Sequence, residues 1–314
     1  MIEETLKFKT SDNQEIFIYN WRPENEAKGI VQIAHGMAET SYRYKRFAEK
    51  LVDESYIVYA NDHRGHGNTA ASIEELGYMG PDGYNRMVKD MKEFTDFIRD
   101  KEGEELPLFL FGHSMGSFLS QRYISLYGNN IQGVILSGTS GSQGPILNIG
   151  IHIAKKEVQK KGPKAKSPRL NDLSFGSYNK KFKPTRTDFD WLSRDEKEVD
   201  KYIKDPYCGG IFTTSFYYDF FRGLKENFKK GNLEKIPKDL PIYIFAGDKD
   251  PVGNMGKGVL KLVKTYEKLG IKDLEYKLYK DGRHEMLNEI NRDEVIEDII
   301  KWLDMHNKKV YPKY

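Results

Sequence analysis

The sequence predicts an α/β protein: a mostly parallel central sheet, helices on both faces, and an inserted cap. Three observations predict it. Short aliphatic runs at Ile30 to Ala34, Tyr56 to Ala60, Leu106 to Phe111 and Gly133 to Ser137 are separated by amphipathic stretches. Strands alternating with helices imply parallel strands joined by right-handed crossovers. The rhythm breaks after Ser137 and resumes at Pro241. The length is 314 residues, 38% of them hydrophobic, which suits one large domain carrying an insertion.

Each element has a local reason. Thr5 to Lys9 alternates, Thr10 to Asn13 turns, and Glu15 to Trp21 continues, as in a hairpin. Ile30 to Ala34 follows the Pro23 loop. Tyr42 to Val52 is amphipathic, and Tyr84 to Arg99 sets Met87, Met91, Phe94 and Ile98 on one helical face. After Leu106 to Phe111, the residues Phe118, Leu119, Tyr123, Ile124 and Leu126 recur at helical spacing between Ser117 and Tyr127. Beyond the gap come a strand over Pro241 to Phe245 and a helix over Lys257 to Leu269. A strand over Leu274 to Tyr279 and a helix over Asp293 to Met305 complete the chain. Residues 1–140 and 238–314 therefore form the core, and residues 141–237 the insertion.

The insertion reads in two parts. Lys155 to Ser167 is basic and broken by glycine and proline, which predicts a solvated loop. Tyr207 to Phe221 is aromatic: Phe212, Phe216, Tyr217, Tyr218, Phe220 and Phe221 fall within ten residues. Such a stretch packs the insertion's own small core and offers an apolar wall for substrate, with Phe212, Phe216 and Tyr217 facing it.

Bulk properties exclude several classes. A net charge of +3 is too balanced for a nucleic-acid partner. Cys208 is the single cysteine, which excludes an internal disulfide and any cysteine-rich metal site. The start, Met1-Ile2-Glu3-Glu4, lacks an apolar signal region, and no apolar run reaches membrane-spanning length. The expectation is a cytoplasmic protein without stable membrane insertion, its membrane contact limited to transient touching of lipid aggregates. Its oligomeric state leaves no signature in the sequence.

The chemistry concentrates at Gly112-His113-Ser114-Met115-Gly116. A strand, a glycine-flanked serine and a helix place an exposed Oγ at the apex of a tight turn. The helix N-terminus behind it favours developing negative charge. A nucleophilic serine needs a base, and the base needs an orienting acid. Asp248 and Asp250 both lie just past the strand that ends near Ala246, and His284 just past the strand that ends at Tyr279. Asp250 is preferred, because the acid belongs one turn beyond its strand; Asp248 would brace the loop. His35-Gly36-Met37 follows another strand, so the amides of Met37 and Met115 are the candidate oxyanion donors. His35 and His113 read as backbone braces. His63 and His66 lack the carboxylate partners of a metal site, and Asp62 alone is thin support. Cys208 reads as a small apolar residue. The candidate set contains no metal ligand, and the chemistry requires no organic cofactor.

The His-Gly at 35–36, Asp-His-Arg-Gly-His-Gly at 62–67, Gly-His-Ser-Met-Gly at 112–116, Asp-Pro-Val at 250–252 and His284 carry a resemblance. Together they resemble the monoacylglycerol lipase and lysophospholipase branch of the α/β-hydrolase fold. The segment Asp205 to Gly210 with the aromatics after it is similar to the lid of bacterial members. The resemblance implies hydrolysis of carboxylic esters through an acyl-enzyme, with Ser114 as nucleophile, His284 as base and Asp250 as acid. It implies a small-molecule ester or lipid substrate, of monoacylglycerol or lysophospholipid type. Thioesterase, acyltransferase and peptidase chemistry are alternatives on the same triad. A non-catalytic ligand-binding homologue is the alternative of another class. One departure stands out: Met37 occupies a place where the family has a small residue, and its bulk would narrow the mouth.

Overall fold

In the computed structural model, which describes residues 1–307, one sheet is built from eight strands. They are β1 (Ile2–Lys9), β2 (Glu15–Arg22), β3 (Gly29–Ala34), β4 (Tyr56–Asn61), β5 (Leu108–His113), β6 (Gly133–Ser137), β7 (Ile242–Gly247) and β8 (Leu274–Tyr279). Their spatial order is β1-β2-β4-β3-β5-β6-β7-β8. β1 and β2 form an antiparallel hairpin, and β2 meets β4 antiparallel. Every pairing from β4 onward is parallel.

Helices α1 (Lys45–Asp53), α2 (Gly83–Glu102) and α3 (Met115–Tyr127) join the first parallel strands. Between β6 and β7 come α4 (Ile146–Lys161), α5 (Pro168–Phe175), α6 (Glu196–Lys204), α7 (Thr214–Asn227) and the short α8 (Lys230–Leu233). Helix α9 (Lys257–Leu269) links β7 to β8, and α10 (Arg292–His306) follows β8. None of the described helices is long and apolar enough to cross a membrane.

Covering both faces makes the central strands apolar throughout. Every residue of β3 to β7 is buried. Successive side chains point to opposite faces, so the runs divide between two cores. Ile30, Leu110, Leu136 and Ile244 join Met87, Met91, Phe94 and Ile98 of α2. Val31, Phe109, Phe111 and Phe245 join Phe47 and Leu51 of α1, with Ile299 and Trp302 of α10. The sequence spacing on α2 thus reports its buried face correctly.

The segment between β6 and β7 differs from expectation twice. Lys155 to Lys161 are helical, forming the last turns of α4. Ala154 is fully buried there, Ile151 and Ile153 pack on the core, and lysine, glutamate and glutamine are good helix formers. The aromatic stretch is not a separate core either. Phe212, Phe216, Tyr217 and Phe221 belong to the main core with Met79 and Tyr84. Asn227 of α7 donates to the Tyr84 hydroxyl at 2.9 Å and to the Phe118 carbonyl at 2.8 Å. Helix α7 is therefore docked on α2 and α3. The insertion's own cluster is smaller: Trp191, Leu192 and Tyr202, with Phe175, Tyr178 and Phe189 around them.

Candidate active site

Ser114 stands between the end of β5 and the start of α3, with φ 50° and ψ −118°. A non-glycine residue at positive φ is strained by about 1–3 kcal/mol and persists only where its neighbours hold it. Here they do. The Ser114 amide donates to the Ser137 carbonyl at 2.9 Å. The Ser114 carbonyl accepts from the Ser117 hydroxyl at 2.6 Å and the Ser117 amide at 2.9 Å. A Cβ on Gly116 would fall on the Ala34 carbonyl and within 2.6 Å of the His35 oxygen. A Cβ on Gly112 would meet the Ser120 hydroxyl and lie 2.6 Å from the Gly116 oxygen. The two glycines let strand, turn and helix close on one another.

Asp250 and His284 meet from different loops. His284 Nδ1 lies 3.0 Å from Asp250 Oδ1, and both side chains are buried. The same oxygen accepts from the Val252 amide at 2.8 Å, so the carboxylate is held in register. Asp248 does something else: its Oδ1 accepts from the Asp281 amide at 2.8 Å and ties the two loops together at the surface. The His284 ring lies between Trp191, at 5.1 Å, and His113, at 4.7 Å.

Charge sets the protonation of His284. Burial alone would depress the His284 imidazolium. The Asp250 charge and hydrogen bond, helped by Glu285 and Glu39, outweigh it and raise the pKa above the usual histidine value. His113 goes the other way. Burial and then the neighbouring His284 lower it to about 4, so it stays neutral at neutral pH.

Ser114 and His284 line one cavity of about 490 Å³, together with Met37, Phe175, Trp191 and Tyr202. A second cavity of about 540 Å³ also opens on Ser114. It is apolar, with Leu147, Phe175, Tyr217, Phe221 and Leu224 in its wall. The loop after β3 packs directly on the serine turn: a Cβ on Gly36 would stand 3.3 Å from Ser114 Cβ. Among the described residues, neither the Met37 nor the Met115 amide is taken up by another hydrogen bond.

The other candidates separate. Tyr217 lines the apolar cavity, whereas Phe212 and Phe216 do not. Phe212 packs on His66 at 4.8 Å, and Phe216 packs on Phe212 at 4.6 Å. Phe212 precedes α7, and helical phase accounts for Phe216. Positions 217, 220, 221 and 224 share the cavity face of α7 at i, i+3, i+4 and i+7, and position 216 points into the core. His35, His63 and His66 form a buried cluster: His35 Nε2 accepts from the His63 amide at 2.9 Å. Burial holds His63 and His66 well below the usual histidine pKa. Asp62 is fully engaged, accepting from Ser41 at 2.6 and 2.8 Å and from the Asn68 amide at 2.8 Å. The 62–67 loop is a brace.

Sequence reasoning did not single out Glu39, Arg43 and Glu285, which form a buried ionic group beside His284. The i, i+4 spacing of Glu39 and Arg43 was the one local signal. Glu285 lies 242 residues from Arg43, so no spacing could pair them.

Comparison with known proteins gives consistent likenesses. The profile of the family described as serine aminopeptidase, S33, matches residues 25–291. The monoacylglycerol lipase of Mycolicibacterium smegmatis is 25% identical over 292 residues, covering 91% of each chain. The monoglyceride lipase of Rattus norvegicus is 25% identical over 298 residues, 93% of this chain and 88% of its own. Among solved structures, a highly thermostable carboxyl esterase from Bacillus coagulans, in complex with glycerol, superposes with a TM-score of 0.90. That esterase is 29% identical, and the match covers 98% of this chain and 100% of the esterase.

Proposed function

The chain belongs to the serine aminopeptidase S33 family of α/β-hydrolases and is a carboxylic ester hydrolase, and we propose that it cleaves monoacylglycerol-type esters through an acyl-enzyme on Ser114. The observation that carries this reading is the buried Asp250–His284 pair facing the cavity of the strained Ser114 turn.

In this reading His284 takes the Ser114 proton through Nε2 as the serine attacks the ester carbonyl. Asp250 holds the Nδ1–H tautomer and stabilises the imidazolium without taking its proton. The Met37 and Met115 amides receive the developing oxyanion. His284 then protonates the leaving alcohol, and water attacks the acyl-enzyme by the same route in reverse. Residues 141–237 act as the cap, although α7 also belongs to the packed core.

The two cavities meeting at Ser114 support a division of the substrate. The apolar one suits an acyl chain, and Tyr217 rather than Phe212 or Phe216 faces it. The other is lined by Asn171, Asn179, Glu39, Asp172, Asp188 and Glu285, and no lysine or arginine is among its described lining residues. Such a wall favours a neutral polyol over a phosphate, hence a glycerol ester over a lysophospholipid. The glycerol held by the Bacillus coagulans esterase supports the same alcohol. Ile146, Ile149 and Leu173 line the apolar cavity and are more than half exposed, which supports transient contact with lipid aggregates.

One observation favours a second reading. Asp172 and Asp188 have no ion-pair partner among the described residues, so a substrate ammonium would suit them, as in an aminopeptidase. A panel separates the readings: a monoacylglycerol, the matching lysophospholipid and an aminoacyl amide, with a fluorophosphonate to label the nucleophile. The proposal expects labelling at Ser114, the monoacylglycerol preferred, and a loss on the order of 10⁴ or more in Ser114→Ala. Label on another residue, or wild-type turnover in Ser114→Ala, removes the triad. Faster cleavage of the amide replaces the esterase by the aminopeptidase.

A further inference from the structure

We propose that Arg43 is a positioning residue that locks the Met37 loop, the His284 loop and the cap into one geometry. The inference rests on the serine-hydrolase reading above and concerns residues that no step of that chemistry uses.

Three parts of the chain end on this guanidinium. Arg43 donates to both oxygens of Glu285 at 2.8 and 2.7 Å, and Glu285 directly follows His284. Its Nη1 also donates to Glu39 at 2.5 Å. Glu39 in turn accepts from the Gly36 amide at 2.5 Å and from the Tyr44 hydroxyl at 2.9 Å. The Gly36 contact holds the His35–Gly36 peptide, one unit before the peptide that carries the Met37 amide. The cap joins through Tyr202, whose ring lies 4.8 Å from the guanidinium. Its hydroxyl donates to the Ala38 carbonyl at 3.0 Å, and the Gly209 amide donates to the same oxygen at 3.0 Å. Ala38 has φ 55°, a conformation that needs such anchoring. The Glu285 amide donates to the cap carbonyl of Leu192 at 2.8 Å.

A planar fork is needed to do this. One edge of the guanidinium grips Glu285 through two nitrogens while one of them also reaches Glu39, and the ring of Tyr202 covers a face. A lysine ammonium keeps the charge and loses the fork. The group holds two carboxylates against one guanidinium, with side-chain exposures of only 4, 7 and 13% for Glu39, Glu285 and Arg43. One negative charge is therefore left over beside His284. The charged and titratable groups facing His284 are Asp250, Glu285, Glu39 and neutral His113, with Arg43 behind the two glutamates and Tyr178 facing Asp250.

The test is the pH profile of kcat and kcat/KM on a soluble p-nitrophenyl ester, for wild type, Arg43→Lys, Arg43→Met and Glu285→Gln. Thermal melting reports folding. Arg43→Lys should lower kcat roughly tenfold to a hundredfold, the cost of a small misplacement, with the acidic limb unmoved. Glu285→Gln removes negative charge and should shift the acidic limb of kcat/KM to lower pH. Arg43→Met leaves two carboxylates unopposed and should shift it to higher pH; if that variant does not fold, the other two decide. A folded Arg43→Lys enzyme with kcat within about twofold of wild type, or a Glu285→Gln limb that superimposes on wild type, overturns the proposal. Fluorophosphonate labelling of wild-type Ser114 is the control. Its absence would remove the hydrolase reading itself, whereas labelling without the Arg43 effects removes only the positioning role.

Discussion

Acyl-chain length is the most direct probe of the apolar cavity. Burying one methylene contributes about 0.8 kcal/mol, so passing from acetyl to hexanoyl adds about 3.2 kcal/mol over four methylenes. At tenfold per 1.4 kcal/mol, kcat/KM should rise on the order of 200-fold, provided all four are buried. Gly150 tests where they go. It lies on α4 in the cavity wall, and a Cβ there would meet the Phe221 ring at 3.4 and 3.5 Å, which is ordinary contact. Gly150→Ala should therefore fit, gain up to about 1 kcal/mol of helix stability and leave the length profile unchanged. In Gly150→Phe the rest of the ring has to share the cavity with the substrate. Its profile should follow wild type for acetyl and butanoyl esters and flatten beyond. The assay is kcat/KM for p-nitrophenyl esters from acetyl to octanoyl, below their aggregation concentrations. A wild-type profile that is flat or falling refutes the acyl assignment. A Gly150→Phe profile identical to wild type would send the acyl chain to the other cavity.

Three further outcomes follow from the same geometry. Asp250→Asn should lower kcat on the order of 10⁴-fold by disturbing the His284 tautomer, while Asp248→Asn loosens a surface loop and costs far less; the reverse ranking would exchange their roles. His284 acts as a base only when neutral, and its pKa is raised, so kcat/KM should fall with decreasing pH through a value above the ordinary 6.5. That limb should move to lower pH in Asp250→Asn, and an unmoved limb would show that another group controls it. Phe216→Ala should cost about 3–5 kcal/mol of stability, read by denaturant melting, without changing the relative rates of short and long esters.

The parts of the site that were legible in the sequence are those whose information is local. Ser114 and Asp250 each follow a fully buried strand by a few residues, and His284 follows the half-exposed edge strand β8, which its alternation and the turn after it mark instead. A strand of Val, Ile, Leu and Phe announces itself because both its faces are covered. The glycines at 112 and 116 were equally readable, since only a missing Cβ allows the turn that their spacing describes. The cap was harder, because its side chains divide by helical phase. The six aromatics from Phe212 to Phe221 look alike in sequence. One turn of α7 sends Phe216 into the core and Tyr217, Phe220 and Phe221 to the cavity, and composition carries no phase. Lys155 to Lys161 misled for a related reason: its charge suggested a loop, while the buried Ala154 and the α7 packing that make it helical lie outside the stretch. The Arg43 group was out of reach altogether. Its meaning lies in a pairing across 242 residues, and it exists only once the loops after β3 and β8 stand side by side. Motifs within one strand–loop unit thus name the candidate reacting atoms, and contacts between units bring the loops that carry them side by side.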